Sequence, residues 1–363
     1  MKYILFFSIL ILFILVSSWI VHKKRYWLHQ PVFTYMKNKN SEILTEIDKF
    51  NTKNFKTSLH NVVYKHTFDI KSLTNENIVY FLNNYYNEDL LYTNSLLNKL
   101  ITKYNFGKNI LDYCYKSDSL VGTLFTKYGK ISILNKKYDV AIVDYGCIIP
   151  KYQNKYIFNT LINRVIKRMG KDKIPIAIHK SDDKPLPQKH HLQYDYRIIF
   201  KKDNKELSLL KPKEIDYITD KNITKYYNKV VNIFSKYVIN PILTIESFQN
   251  EFITDLPECI SLVCSNPFIL VNGYFQDYKI AGKIEKIFEI RYLLYEYVDN
   301  NKIKEIIKKI MKDHYVSKIV FQNIGGNMIL ENLFNTKYGH KTYLYIFNFN
   351  KIDLEKKDFF LHF

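Results

Sequence analysis

Between Leu120 and His179 the spacing of apolar positions switches from strand to helix and back to strand. Leu120-Val121-Gly122-Thr123-Leu124 and Lys130-Ile131-Ser132-Ile133-Leu134 read as two strands joined by a turn containing Gly129. Asp139 to Ile149 reads as a longer strand interrupted at Gly146, and a glycine inside a strand often marks a bulge. Pro150 ends it. The polar stretch Tyr152-Gln153-Asn154-Lys155 then leads into a helix over Tyr156 to Met169. In that helix Ile157, Leu161 and Val165 recur every four positions, beside Phe158, Ile162 and Ile166. Gly170 is read as its cap, and Ile174 to His179 as the next strand. Upstream, Ile78 to Lys103 has helical spacing, with Leu91, Leu96, Leu97 and Leu100 as apolar positions, whereas Asn38 to Lys56 is polar.

Strand, bulge, polar loop, helix and strand, in that order, resemble the core of GNAT-type acyl-CoA transferases, although many α/β proteins contain the same pattern. The physics suits a thioester. A bulge frees backbone N–H groups that can hold a carbonyl oxygen. A helix N-terminus offers unpaired N–H groups and a positive dipole end to a pyrophosphate.

The chain opens differently. Tyr3 to Val21 is almost wholly apolar and uncharged, long enough to cross a bilayer as a helix, and His22, Lys23, Lys24 and Arg25 follow at once. A cleaved signal peptide would place its basic residues before a shorter apolar run. The reading is therefore an uncleaved single-pass anchor, residues 1–24, with the body facing the cytosol.

Composition changes this picture little. The 363 residues carry a net charge of +19 and are 47% hydrophobic, which permits a sizeable core. The basic balance suits nucleic acid, an anionic membrane or an anionic cofactor. The lysines are spread along the chain, however, and Lys, Asn, Ile, Tyr and Phe are abundant together, as a coding bias would produce. No nucleic-acid partner is expected. Cys114, Cys147, Cys259 and Cys264 form no CxxC pair, His190 and His191 are adjacent in what reads as a loop, and no metal is expected.

Several segments in order resemble the eukaryotic N-myristoyltransferases. Tyr26-Trp27-Leu28-His29-Gln30-Pro31-Val32 is similar to their FWxTQPV segment, and Leu120-Val121-Gly122 to KLVGFI. Val143-Asp144-Tyr145-Gly146-Cys147-Ile148 stands where the family has INFLCV. Tyr152-Gln153-Asn154-Lys155 stands where it has LRSKR, and Ala177-Ile178-His179 resembles AVYTAG. Tyr194 to Arg197, Lys337-Tyr338-Gly339 and Leu344 to Phe349 continue the likeness into the second half.

The resemblance implies an α/β (α+β) fold of two tandem GNAT-like halves, 25–205 binding acyl-CoA and 206–363 binding peptide, which share one saddle-shaped sheet. It implies a monomeric glycylpeptide N-tetradecanoyltransferase that needs no cofactor. The acyl donor is myristoyl-CoA, and the acceptor is the N-terminal glycine amine of a protein or peptide. It assigns the base to the main-chain carboxylate of Phe363 and the oxyanion donors to the N–H groups of Tyr145 and Gly146. Arg25, Tyr26, Trp27, Gln153, Asn154, Lys155 and Tyr156 would hold coenzyme A. Asp144, His179, Tyr92 and Gly339 would face the peptide, Asp144 and His179 where the family has the Asn and Thr that face the ammonium. An Asp there binds an ammonium well but also favours its protonated form. The alternatives are a GNAT-like enzyme of other specificity and an inactive acyl-CoA-binding membrane relative.

Overall fold

A computed structural model describes residues 43, 61–67, 76–86, 90–91, 93, 109–153, 155–186, 190–204, 215–253, 259–280, 282–350 and 352–361. Long strands that are buried on both faces over continuous runs, such as residues 121–129 and 287–294, build one sheet. Among the described residues it has fourteen strands, twelve of them in the order β1-β3-β4-β5-β6-β14-β7-β13-β12-β11-β10-β8, with β2 pairing β11 and β9 pairing β4.

The strands that frame the site are β3 (Asn109–Lys116), β4 (Ser119–Ile133), β5 (Lys136–Ile148), β6 (Ile176–Asp182) and β7 (Leu192–Phe200). The second half has β10 (Cys259–Ser265), β11 (Phe268–Ile280), β12 (Lys283–Tyr295), β13 (Lys318–Gln322) and β14 (Thr336–Phe347). Short strands β1 (Val62–Thr67), β2 (Leu90–Leu91), β8 (Ile215–Tyr217) and β9 (Ile239–Pro241) complete it.

One arrangement occurs twice. β3, β4 and β5 are antiparallel, and a helix then crosses to β6, which is parallel to β5. Likewise β10, β11 and β12 are antiparallel, and a helix crosses to β13, which is parallel to β12. The last strands interleave: β14 lies between β6 and β7, and β7 lies between β14 and β13.

Among the described residues six helices cover the faces: α1 (Glu76–Tyr85), α2 (Ile157–Asp172), α3 (Ile223–Phe234), α4 (Ile245–Phe252), α5 (Asn300–Asp313) and α6 (Ile329–Leu333). α5 shows why these residues form helix. Asp299 caps it, its carboxylate accepting the N–H groups of Asn301 and Lys302 at 3.0 Å each. Ile303, Ile306, Ile307 and Ile310 make a fully buried stripe at helical spacing. α2 packs on one face of the sheet through Ile157, Leu161, Val165, Ile166 and Met169. On the opposite face α3, α4 and the tail residues Phe359, Phe360 and Leu361 join one large core.

Three local readings change. Residues 120–133 belong to a single strand, β4, that runs through Gly129, which pairs with Val140. The chain reverses instead at Leu134–Asn135, where φ is +51° and +63°, as a two-residue hairpin turn of the twisted kind requires. α2 continues past Gly170 to Asp172 and closes on Lys173 at φ +60°; the Ile174 N–H donates to Met169 O at 2.9 Å, and the Lys173 N–H to Gly170 O. Of the helical reading of 78–103, the start is seen as α1, whereas Leu90 and Leu91 pair with Tyr278 and Asp277 of β11; Leu96, Leu97 and Leu100 lie outside the described residues.

The membrane reading is also corrected. Among the described residues no helix is long and apolar enough to cross a membrane. A single-pass protein with its body facing the cytosol is therefore not supported. The apolar run Tyr3 to Val21 lies outside the described residues.

Candidate active site

β5 and β6 keep parallel register from Val140↔Ile176 to Val143↔His179 and then separate. Just beyond that point β5 bulges against β4. Thr123 pairs with Cys147 and Phe125 with Asp144, so Tyr145 and Gly146 stand opposite Leu124 alone. Tyr145 takes φ +49°, a strained value for a large side chain. Polar contacts fix it there: its N–H donates to Asp144 Oδ1 at 2.8 Å, and Thr123 Oγ1 donates to its carbonyl at 3.2 Å. Gly146 lets the Phe158 ring at the start of α2 pack closely, since a Cβ there would lie 2.7 Å from that ring and push it aside.

A cavity of about 630 Å³ opens where the strands part. One side is apolar, with Val143, Phe158, Ile162, Val165, Ile166 and Phe347. The other is polar, with Tyr86, Asp144, Lys180, Asp182 and His340. The bulge lies on its wall, so a reacting carbonyl there would have hydrocarbon on one side and charged groups on the other. Near the mouth, α2 begins at Tyr156, at φ +60° and with no side-chain cap. The N–H groups of its first turn are thus left to a ligand or water.

Electrostatics separate the two sides. Burial, helped by His191, pushes the His179 imidazole down to about 4, so it is neutral near pH 7. Burial alone would lower the Lys180 ammonium, but Tyr196, Asp144, Asp182 and Tyr86 outweigh it and hold the group protonated well above the ordinary lysine range. Asp182, its side chain still 41% exposed, is drawn down to about 2: His340, Lys180 and Thr342, whose Oγ1 donates to Oδ1 at 2.7 Å, outweigh its partial loss of solvent. Burial pushes the Cys147 thiol up to about 12, which leaves it protonated and a poor relay for an acyl group.

The sequence-derived candidates distribute unevenly. Asp144, Tyr145, Gly146, Gln153 and His179 line the cavity, and Lys155 and Tyr156 are exposed at the start of α2. Gly339 sits at an irregularity of β14, and its neighbour His340 reaches the cavity while stacking on Tyr196 at 4.1 Å. Arg25, Tyr26, Trp27, Tyr92, Asn154 and Phe363 lie outside the described residues.

Asp144 and His179 are not a facing pair. His179 is the register partner of Val143, on the α2 face, and stacks on Tyr345 at 5.1 Å. The neighbour of Asp144 on its own face is Lys180, which sequence reasoning missed. The signal was the two-residue alternation of a strand, usable only once the register of β6 is known. Tyr86, whose hydroxyl donates to Asp144 Oδ1 at 3.4 Å, carried no signal of its own.

Comparison with known proteins agrees with this geometry. No family model matches the chain. A protein described as "Putative glycylpeptide N-tetradecanoyltransferase", from Amsacta moorei entomopoxvirus, is 27% identical over 237 residues, covering 63% of this chain and 74% of the relative. The crystal structure of Saccharomyces cerevisiae N-myristoyltransferase with bound myristoyl-CoA superposes with a TM-score of 0.73 at 16% identity, over 90% of this chain and 92% of that one. A structure of the yeast enzyme with myristoyl-CoA and inhibitors gives 0.73 at 14% identity, with 92% of each chain covered. The chain thus shares the mixed α/β fold of yeast N-myristoyltransferase, built on one large open sheet. In sequence it is similar to the entomopoxvirus protein described as a glycylpeptide N-tetradecanoyltransferase.

Proposed function

We propose that this chain transfers a myristoyl group from myristoyl-CoA to the N-terminal glycine amine of a protein or peptide, by direct aminolysis of the thioester. The observation that carries this reading is the cavity between the parted strands, apolar on the α2 side, polar on the other, and bounded by the Tyr145–Gly146 bulge. An acyl chain gains about 0.8 kcal/mol per buried CH₂, so a deep apolar side favours a long donor. The similarity to the entomopoxvirus protein supports the choice of donor and acceptor.

On this reading the Gly146 N–H stabilises the tetrahedral oxyanion; the Tyr145 N–H, the other donor expected from the sequence, is engaged by Asp144 Oδ1 at 2.8 Å and orients the bulge instead. Gln153, Asn154, Lys155 and the first turn of α2, starting beside Tyr156, bind the pyrophosphate, with Arg25, Tyr26 and Trp27 also on coenzyme A. Tyr92 and Gly339 belong to the peptide side. The body divides into two tandem GNAT-like halves of one saddle-shaped sheet, 25–205 for acyl-CoA and 206–363 for peptide; the repeated strand-helix-strand order supports this. The base is the main-chain carboxylate of Phe363. Its support is that Phe359, Phe360 and Leu361 are buried and that the Phe360 N–H donates to Ile239 O at 3.0 Å.

Mass spectrometry tests the function directly. Incubated with myristoyl-CoA and a glycine-initiated peptide, the protein should yield peptide heavier by one myristoyl group. Turnover only with other donors, or binding of myristoyl-CoA without turnover, would refute the assignment. Appending a few residues after Phe363 should abolish transfer while leaving myristoyl-CoA binding intact; normal turnover by the extended chain would remove the terminal carboxylate from the mechanism.

A further inference from the structure

Lys180 is a charged group on the cavity wall that the chemistry above does not use. Because β5 and β6 are in parallel register up to Val143 and His179, the next residues, Asp144 and Lys180, fall on one face, on either side of the gap where the strands part. Asp144 is not free to swing away, since its Oδ1 accepts the Tyr145 N–H at 2.8 Å and the Tyr86 hydroxyl at 3.4 Å. A fixed carboxylate and an ammonium therefore flank the passage next to the bulge.

We propose that Asp144 and Lys180 act as a charge-compensated pair that receives the substrate's α-amine: Asp144 accepts an amine N–H, and Lys180 supplies the positive charge that keeps the amine from persisting as ammonium. This rests on the acyl-transfer reading. An isolated carboxylate would bind the amine in its charged form, which has no lone pair for attack. A nearby fixed cation disfavours that form, as it does for amine nucleophiles placed beside a second cation.

In the reaction the amine nitrogen bonds the thioester carbonyl carbon, and the C–S bond breaks with its electron pair on sulfur. The ammonium loses one proton before attack and one as the intermediate collapses. The coenzyme A thiolate takes up one of these, so one proton is released overall. Lys180 stays protonated throughout.

The other charged groups around Lys180 have partners of their own. Asp182, on the same strand, is engaged by Thr342 at 2.7 Å and His340 at 3.7 Å. Glu289 of β12 accepts from Gln276 at 3.4 Å, and burial raises its pKa toward the neutral form. Arg291, also on β12, faces Glu251 of α4 at 3.3 Å. Lys127 of β4 is buried, and burial and Arg291 push it down to about 8. The hydroxyls of Tyr86, Tyr145, Tyr194 and Tyr196 are all raised by burial and stay neutral. Asp183 also lines the cavity but is exposed to solvent, whereas Asp144 is buried at the bulge and its charge acts on Lys180.

The test is the pH dependence of kcat, which reports ionisations within the enzyme–substrate complex, for the full chain with myristoyl-CoA and a glycine-initiated peptide. Lys180→Met should move the acid limb alkaline by about one unit, a tenfold loss at pH values below that limb. Asp144→Asn should raise the peptide KM and move the limb the other way. The double variant should return the limb to near its original position, and Lys180→Arg, which keeps the charge, should leave it in place. Coincident limbs in all variants, or a double variant whose shift is the sum of two shifts of the same sign, would overturn the pair. Calorimetric titration with myristoyl-CoA separates the layers: wild-type protein that neither binds nor uses it refutes the acyl-transfer reading, whereas unchanged binding with unmoved limbs refutes only the pair. If Lys180→Met does not fold by circular dichroism, the Lys180→Arg and Asp144→Asn limbs decide alone, and a displaced Arg limb or an unmoved Asn limb counts against the proposal.

Discussion

His179 shows how one side chain ties the site to the stability of the sheet. Its imidazole is half-buried on β6, stacked on Tyr345, and pushed down to about 4 by burial and then by His191. Unfolded, it titrates near ~6.5. Between those values the unfolded chain binds more protons than the folded one, so stability falls as pH drops from about 6.5, and the contribution is gone below about 4. His179→Gln should flatten this decline in urea unfolding measured from pH 7 to pH 4. An unchanged slope would mean that the imidazole is not held neutral in the fold. Tyr145 is a second case: its positive φ costs energy, and the Asp144 and Thr123 contacts keep it in place at the bulge.

Among the elements, α2 sets the wall of the cavity, and its grip on the sheet is partly ionic. Asp112 of β3 is fully buried and receives Arg164 Nε at 3.2 Å and Arg168 Nη1 at 3.1 Å, with a second contact from Arg168 Nη2. Removing one member of a buried ionic cluster leaves the rest uncompensated, at a cost of about 3 kcal/mol or somewhat more. Asp112→Ala should therefore lower the urea midpoint substantially and also weaken myristoyl-CoA binding, since α2 carries Phe158 against Gly146. A loss under about 1 kcal/mol would show that the apolar stripe alone holds the helix. The helix was legible in the sequence because its stripe repeats every four residues. Its end was not, because a lysine in the left-handed region closes it after Gly170 has been passed.

Among the described residues one sheet runs through the molecule, and it interleaves strands that are far apart in sequence. β6 pairs with β14 over Ala177–Asp182, and β7 lies between β14 and β13. A fragment of residues 25–205 therefore leaves one edge of β6 and both edges of β7 unpaired, and strips the first-half core of Leu344 and Ile346. It should be insoluble or bind a hydrophobic dye, and co-expression with 206–363 should restore a soluble complex on gel filtration. A soluble, cooperatively unfolding 25–205 fragment would show that the halves are independent. The parting of β5 and β6, and with it the cavity, also belongs to this scale.

The sequence by itself determined which segments are strand and helix from Asp139 to His179, the break at Gly146, the polar approach to α2, and the family resemblance. These depend on spacing within a few residues, which the chain carries locally. Only the tertiary structure decided that Gly129 lies inside a strand and that Lys180, not His179, stands beside Asp144. It also placed β14 between β6 and β7, and β7 against β13. Each of these depends on the register of strands distant in sequence, where a slip of one residue exchanges the faces of every side chain.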